Sequence, residues 1–253
     1  MRFIKSARAA AGLLGVVLFA TPAASAELTV IASTPMTEIL EAVLPMFERE
    51  SGHKVNAIFL AGAALPDRVK GGAQADLLVT LPQIVDDLVQ AGKVVAGSRI
   101  DFVRSRVSVA VRAGAPKPDI STVEGFKNAL LAAKSVGMSQ GSSGVYLMEL
   151  LERLGIADAV KAKVVIPKER GQRVGVLVAS GQAEIGVQQI TELLPIPGSD
   201  FVGPLPPALQ TTIVFAMARP TNAKAASAVN DLVKFLSSKS VAPIARKMGL
   251  EPA

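Results

Sequence analysis

Four turns rich in small and hydroxylic residues punctuate this sequence: Ser33-Thr34, Gly62-Ala63-Ala64, Ser139 to Gly144, and Gly171-Gln172-Arg173-Val174. Each lies where a short apolar run gives way to a helical pattern. Unspent backbone N–H groups and the positive end of the helix dipole suit such a turn to an anion. Ordinary helix capping uses the same residues, so one such turn alone points to nothing. Several converging beyond the carboxyl ends of strands would form a site. The candidate ligand-binding residues are therefore Ser33, Thr34, Gly62, Ala63, Ser142, Ser143, Gly144, Arg173 and Val174, with Tyr146 on the helix that follows Gly144. Arg173 is the cation best shaped to clamp a carboxylate, because its fork matches two oxygens. Gln188 and Gln189, at a strand end, bring both donors and acceptors.

Other chemistries find little support. Ser139-Gln140-Gly141-Ser142-Ser143-Gly144 is not a phosphate-binding loop, since no Gly-Lys-Ser/Thr follows. It is not a nucleophile elbow either, because the outer glycine is missing after Gly144-Val145. His53 is the one histidine, in a Gly-His-Lys turn that reads as a solvated loop, far along the chain from any exposed serine. The chain has no cysteine. These counts leave no metal site, no disulfide and no cofactor to expect.

The N-terminus sets where the protein works. Arg2, Lys5 and Arg8 precede an apolar run from Ala9 to Ala20, and Ala24-Ser25-Ala26 makes a small-x-small cleavage site. Residues 1–26 thus read as a removable export signal, too short to span about 30 Å of hydrocarbon. Its removal takes three of the 27 basic residues and none of the 21 acidic ones, which leaves a net charge of +3. That modest charge, with one Tyr and no Trp, argues against nucleic acid as a partner. A monomer free in the periplasm is expected.

Short apolar runs alternate with helical patterns over the rest, the signature of βαβ units. Strands are expected at Leu28–Ala32, Val55–Leu60, Asp76–Thr80, Val107–Arg112, Ser135–Met138, Lys163–Ile166, Glu184–Val187 and Thr211–Ala218. Helices are expected after Thr34 as N-cap with Pro35 at the first position, at Leu65–Lys70, from Pro82, at Val123–Ala132, after Gly144, at Val174–Ser180, at Lys224–Leu236 and around Val241–Lys247. After Pro195 the chain is expected only to turn until Thr211. The last two helices need an apolar partner, which packing back on the first half supplies. The fold class is then α/β: two doubly wound lobes with a cleft between them and two crossing strands. Lobe 1 comprises residues 27–112 and 208–253, and lobe 2 residues 113–207.

The order Val30-Ile31-Ala32-Ser33, Phe47-Glu48, Ser51-Gly52, Gly62-Ala63-Ala64-Leu65 and Ala75-Asp76-Leu77-Leu78-Val79 resembles the molybdate-binding-like branch of periplasmic solute-binding proteins. Ser180-Gly181-Gln182-Ala183-Glu184-Ile185-Gly186 and a terminal Met248-Gly249-Leu250 extend the likeness over essentially the whole exported chain. The resemblance implies a type II binding-protein fold that closes on a small anion and hands it to an inner-membrane ABC permease. Two positions depart from molybdate binders: Gly62-Ala63-Ala64 stands where they carry glycine-serine-serine, and Gln189 stands where they carry a tyrosine. Lost hydroxyls weaken selectivity for a tetrahedral oxyanion. The stretch from Gln188 to Gly198 is similar to a sub-branch that includes aconitate isomerases, periplasmic enzymes that interconvert cis- and trans-aconitate.

Capture of an organic di- or tricarboxylate for transport is the first expectation. The alternative is an aconitate-type isomerase, for which Tyr146 and Glu192 are the candidate proton carriers. A second alternative is a binder of molybdate or tungstate in which backbone amides replace the missing hydroxyls.

Overall fold

The computed structural model describes residues 25–61, 64–168 and 172–253. The export signal expected at 1–26 lies almost wholly outside the described residues, as do Gly62 and Ala63. The first half opens with β1 (Glu27–Ser33), a 3-10 turn (Thr34–Met36), α1 (Thr37–Ser51), β2 (Lys54–Leu60), α2 (Ala64–Lys70), β3 (Leu77–Thr80) and α3 (Pro82–Gln90). A long β4 (Ile100–Arg112) then leads to α4 (Val123–Ala132), β5 (Val136–Met138), α5 (Ser142–Arg153), α6 (Ala157–Lys161), β6 (Val164–Val165), α7 (Val174–Ala179), β7 (Ile185–Gln189), α8 (Ile190–Leu193) and β8 (Ser199–Pro204). The chain returns through a 3-10 turn (Pro207–Leu209) to β9 (Thr212–Ala218), α9 (Ala226–Leu236), α10 (Val241–Lys247) and β10 (Glu251–Pro252).

The strands run in the order β2-β1-β3-β9-β4-β7-β5-β6, with β8 and β10 both paired to β4. From Ile100 to Arg106, β4 pairs antiparallel with β9, and β10 pairs with it at Val103 and Arg104. From Val107 to Arg112 the same strand pairs with β7 and β8. Within the first half β1 is parallel to β2 and β3, and within the second β5 is parallel to β6 and β7. The chain crosses between the halves twice, inside β4 and again between β8 and β9.

Strand alternation sends side chains to two layers. Leu28, Val30 and Ala32 join the core under α1 and α9, whereas Ile31 joins Leu65, Val69 and Leu88 beneath α2 and α3. Val174, Leu177 and Val178 of α7 form a third cluster with Ala110 and Leu193 on the second half. This is the doubly wound arrangement of an α/β fold. The tail packs on the first half: Phe235 of α9 meets Phe47 of α1 with ring centroids 5.6 Å apart. The buried Asp76 carboxylate accepts from the Thr29 N–H at 2.8 Å and the Lys224 N–H at 2.9 Å, which ties the segment before α9 to β1.

Several expectations need correction. Thr34 is not a side-chain cap; it opens the 3-10 turn, and its carbonyl accepts from Thr37 Oγ1 at 2.7 Å. His53 is buried, not solvated: its Nδ1 accepts the Ala26 N–H at 3.1 Å and its ring lies against Phe47. The first seven residues of β4 escaped a two-residue period because its register shifts between Asp101 and Val103, so neighbouring Phe102 and Val103 are both buried. The expected turns after Pro195 hold β8, an edge strand rich in glycine and proline.

Gly249 closes α10 at φ +77°, and a Cβ there would collide with the Ile190 side chain of α8. Gly52 ends α1 at φ +75° with open space around it. Both glycines supply a left-handed turn that an L side chain resists by about 1 kcal/mol or more. In thermal or urea unfolding, Gly249→Ala should therefore destabilise more than Gly52→Ala, by a further ~1–3 kcal/mol of overpacking. Equal losses would mean that the contact with α8 contributes nothing.

Candidate functional site

A cleft of about 1000 Å³ lies between the two halves. It is lined from the first half by Ser33, Thr34 and Leu81–Ile84 at the start of α3, from the return crossing by Thr211–Phe215, and from the second by Ser139–Ser143, Tyr146, Gln188, Gln189 and Glu192. A second cavity of about 800 Å³ borders the crossing segments at Arg106, Lys117 and Pro204–Pro207. Its cations are already committed: Arg106 pairs with Glu251, and Lys117 Nζ donates to the Phe201 carbonyl at 2.9 Å. Helix N-termini and buried polar groups converge on the larger cleft, which is the candidate site.

The first half contributes a hydroxyl pair, Ser33 Oγ and Thr80 Oγ1, 2.8 Å apart. Opposite, α5 starts at Ser142 with Gly141 as its N-cap and no side chain capping it. The Gly144 and Val145 N–H groups donate to the Gly141 carbonyl, both at 3.0 Å. Ser139 Oγ and Ser143 Oγ lie 3.2 Å apart across that turn. Gly144 is required sterically, since a Cβ would overlap the Ser139 carbonyl. Gln189 is 2 % exposed; its Nε2 donates to Ser142 Oγ at 3.3 Å, and its Oε1 finds no partner among the described residues. A buried amide with one free end beside an uncapped helix start is a polar group waiting for a ligand.

Tyr146 faces the cleft, but its hydroxyl donates to the Leu209 carbonyl at 2.6 Å. The Arg153 guanidinium carbon lies 5.7 Å from the ring centroid, and Arg153 Nη2 donates to the same hydroxyl at 3.2 Å. That phenol ties α5 to the return crossing and holds no free proton-accepting end. Val174 presents no spare N–H either, because that group donates to Gln188 Oε1 at 2.7 Å.

Glu192, in α8, is the one strongly perturbed acid near the cleft. It is 7 % exposed, and burial pushes its carboxyl up from 4.5 to about 7 against the opposing pull of Arg173 and a hydrogen bond from Gln188. Desolvation outweighs both, as it does when a carboxylate loses its water without a full set of donors. The Gln188 amide is oriented by its bond to Val174, which leaves Nε2 for Glu192. Arg173 sits just before α7, outside the cleft lining, and its Nη1 meets Glu38 Oε1 at 2.5 Å. The guanidinium expected to clamp a ligand therefore holds a protein carboxylate from the other half.

Of the residues proposed from sequence, the cleft gathers Ser33, Thr34, Ser142, Ser143, Tyr146, Gln188, Gln189 and Glu192. Gly144 and Val174 lie just behind it as backbone support. Sequence reasoning missed Glu38 and the α3 start; an acid in a first helical turn reads as dipole compensation, and nothing in its spacing points to Arg173. Among the described residues no cluster of His, Cys, Asp or Glu could hold a metal ion.

Comparison with known proteins gives the family and the fold. An aconitate isomerase from a Pseudomonas species is 35 % identical over 251 residues, covering 94 % of this chain and 95 % of that protein. The periplasmic molybdate-binding protein of Azotobacter vinelandii superposes with a TM-score of 0.72 at 21 % identity, over 88 % of this chain and 98 % of that one. The sulfate-binding protein SubI of Mycobacterium tuberculosis gives 0.74 at 18 % identity, over 90 % and 87 %. At such identities these two structures establish the type II binding-protein fold and nothing finer. The family model for bacterial extracellular solute-binding proteins matches residues 28–251. With that match spanning nearly all of the described chain, the protein belongs to the bacterial extracellular solute-binding protein family, in the molybdate-binding-like branch that includes aconitate isomerase.

Proposed function

We propose that the protein is a periplasmic isomerase that interconverts cis- and trans-aconitate or a closely similar unsaturated tricarboxylate. The observation that carries this reading is Glu192, a buried carboxyl in the cleft that titrates at about 7. A group poised near the working pH is suited to take a proton and give it back. The resemblance to an aconitate isomerase over nearly the full length supports the same substrate class.

The reaction this assigns is a 1,3-shift of hydrogen. The Glu192 carboxylate removes a proton from the substrate methylene; the C–H electron pair spreads over the allylic carbons and their carboxylates. The carboxylic acid so formed returns the proton to the far end of the allylic unit. The double bond moves one position and is re-formed in the other geometry, with no oxidant, reductant or water consumed. Charge on the intermediate falls to the uncapped start of α5, with the Ser142 and Ser143 amides as donors. In this reading residues 1–26 are removed on export, and residues 27–112 with 208–253 close as one lobe on residues 113–207 as the other.

The second reading, capture of a carboxylate for an ABC permease, is favoured by the family as a whole. Incubation with trans-aconitate separates the two, with cis-aconitate followed by chromatography. Turnover at catalytic protein concentration is expected. A thermal shift without turnover would assign transport instead, and a shift with molybdate alone would discard both.

Glu192→Gln should lower turnover by about 10²–10⁴-fold while retaining binding. Tyr146→Phe should leave turnover within about a few-fold, because that hydroxyl is committed to Leu209. Full activity in the Glu192 variant would remove Glu192 as the proton carrier.

The raised carboxyl also fixes two pH effects. As a base, Glu192 must be ionised, so kcat/KM should fall as pH drops below about 7. Stability moves the other way. A folded-state value above the unfolded one contributes stability that is complete below about 4.5 and lost as pH rises through about 7. The loss is about 3 kcal/mol, and Glu192→Gln should escape it. At pH 8 the variant should melt above the native protein, and a lower melting point would contradict the assigned burial.

A further inference from the structure

Among the described residues, five Lys or Arg side chains pair with carboxylates, and one of those pairs joins the two halves, outside the lining of the cleft: Arg173 with Glu38. Glu38 stands in the first turn of α1, on the first half. Arg173 immediately precedes α7, whose helix packs on β7 and β4 of the second half. Their side chains are 30 % and 17 % exposed, and Nη1 reaches Oε1 at 2.5 Å. A rotation that carries α1 away from α7 separates these two groups.

We propose that Glu38 and Arg173 form a latch that holds the empty cleft shut and sets the rate at which ligand enters and leaves. A charge-assisted bond that is partly shielded from water is strong enough to matter and weak enough to break on each cycle. Neither side chain belongs to the proton-carrying machinery. Arg173 faces Glu192 electrostatically but spends its bond on Glu38. The inference does not depend on the isomerase reading, since a transport protein would need the same latch.

The absence of native cysteine allows two spin labels to be attached cleanly at Asp87→Cys in α3 and Glu124→Cys in α4, both exposed positions on opposite halves. Double electron–electron resonance on the ligand-free protein should give one short, narrow distance. Glu38→Gln should lengthen and broaden it, and so should Arg173→Gln. The charge-swapped pair, Glu38→Arg with Arg173→Glu, should restore it. In the unlabelled Glu38→Gln protein, trans-aconitate should dissociate on the order of tenfold faster. An unchanged distance in both single variants overturns the latch. So does failure of the swapped pair to restore it while the protein still melts at the native temperature. Both results are read without turnover, so they stand apart from any failure of the isomerase assignment.

Discussion

Both sheets hang on one strand. From Ile100 to Arg106 the backbone of β4 pairs with β9 and β10, and from Val107 to Arg112 it pairs with β7 and β8. A strand has only two edges, so the change of partners along its length forces the two halves to meet at the point where they exchange places. The cleft is the space left on one side of that junction. Helix starts that follow the strands on either half then face each other across it. The placement of α5 opposite Ser33 and Thr80 follows from this topology and not from any attraction between those hydroxyls.

Within that frame the electrostatics of the site are decided by burial. Three influences act on Glu192: loss of water, a guanidinium, and a side-chain amide. The last two favour the carboxylate, yet the acid is still raised to about 7. The reason is geometric. Arg173 is drawn to Glu38, and Gln188 gives Glu192 a single amide because its oxygen is held by the Val174 N–H. Arg173 therefore acts on Glu192 through its field and not through a hydrogen bond.

Much of the scaffold was legible because its signals are local. The stripe Ile39, Leu40, Val43, Leu44 and Phe47 announces α1, Gly52 ends it, and α4 falls at the expected Val123–Ala132. The short α8 was not legible, since its four residues carry no helical period. The extent of β4 was hidden by its bulge. At the site, the hydroxylic turns and the two glutamines could be picked out as polar groups at strand ends. The Arg173 pairing could not, because Glu38 lies 135 positions away in sequence and only the folded topology brings them together. The weakened acidity of Glu192 was invisible for the same reason: burial is a property of neighbours, not of spacing.

The bond between Gln188 and Val174 has a stereochemical consequence. With its oxygen fixed on a helix amide, the Gln188 side chain always presents an N–H to Glu192 and can never accept from it. The lone pair that meets that N–H is closed to hydrogen, so a proton on Glu192 must occupy another. In the isomerase reading, a carboxyl held in one orientation would take hydrogen from one face of a bound molecule and return it to that same face.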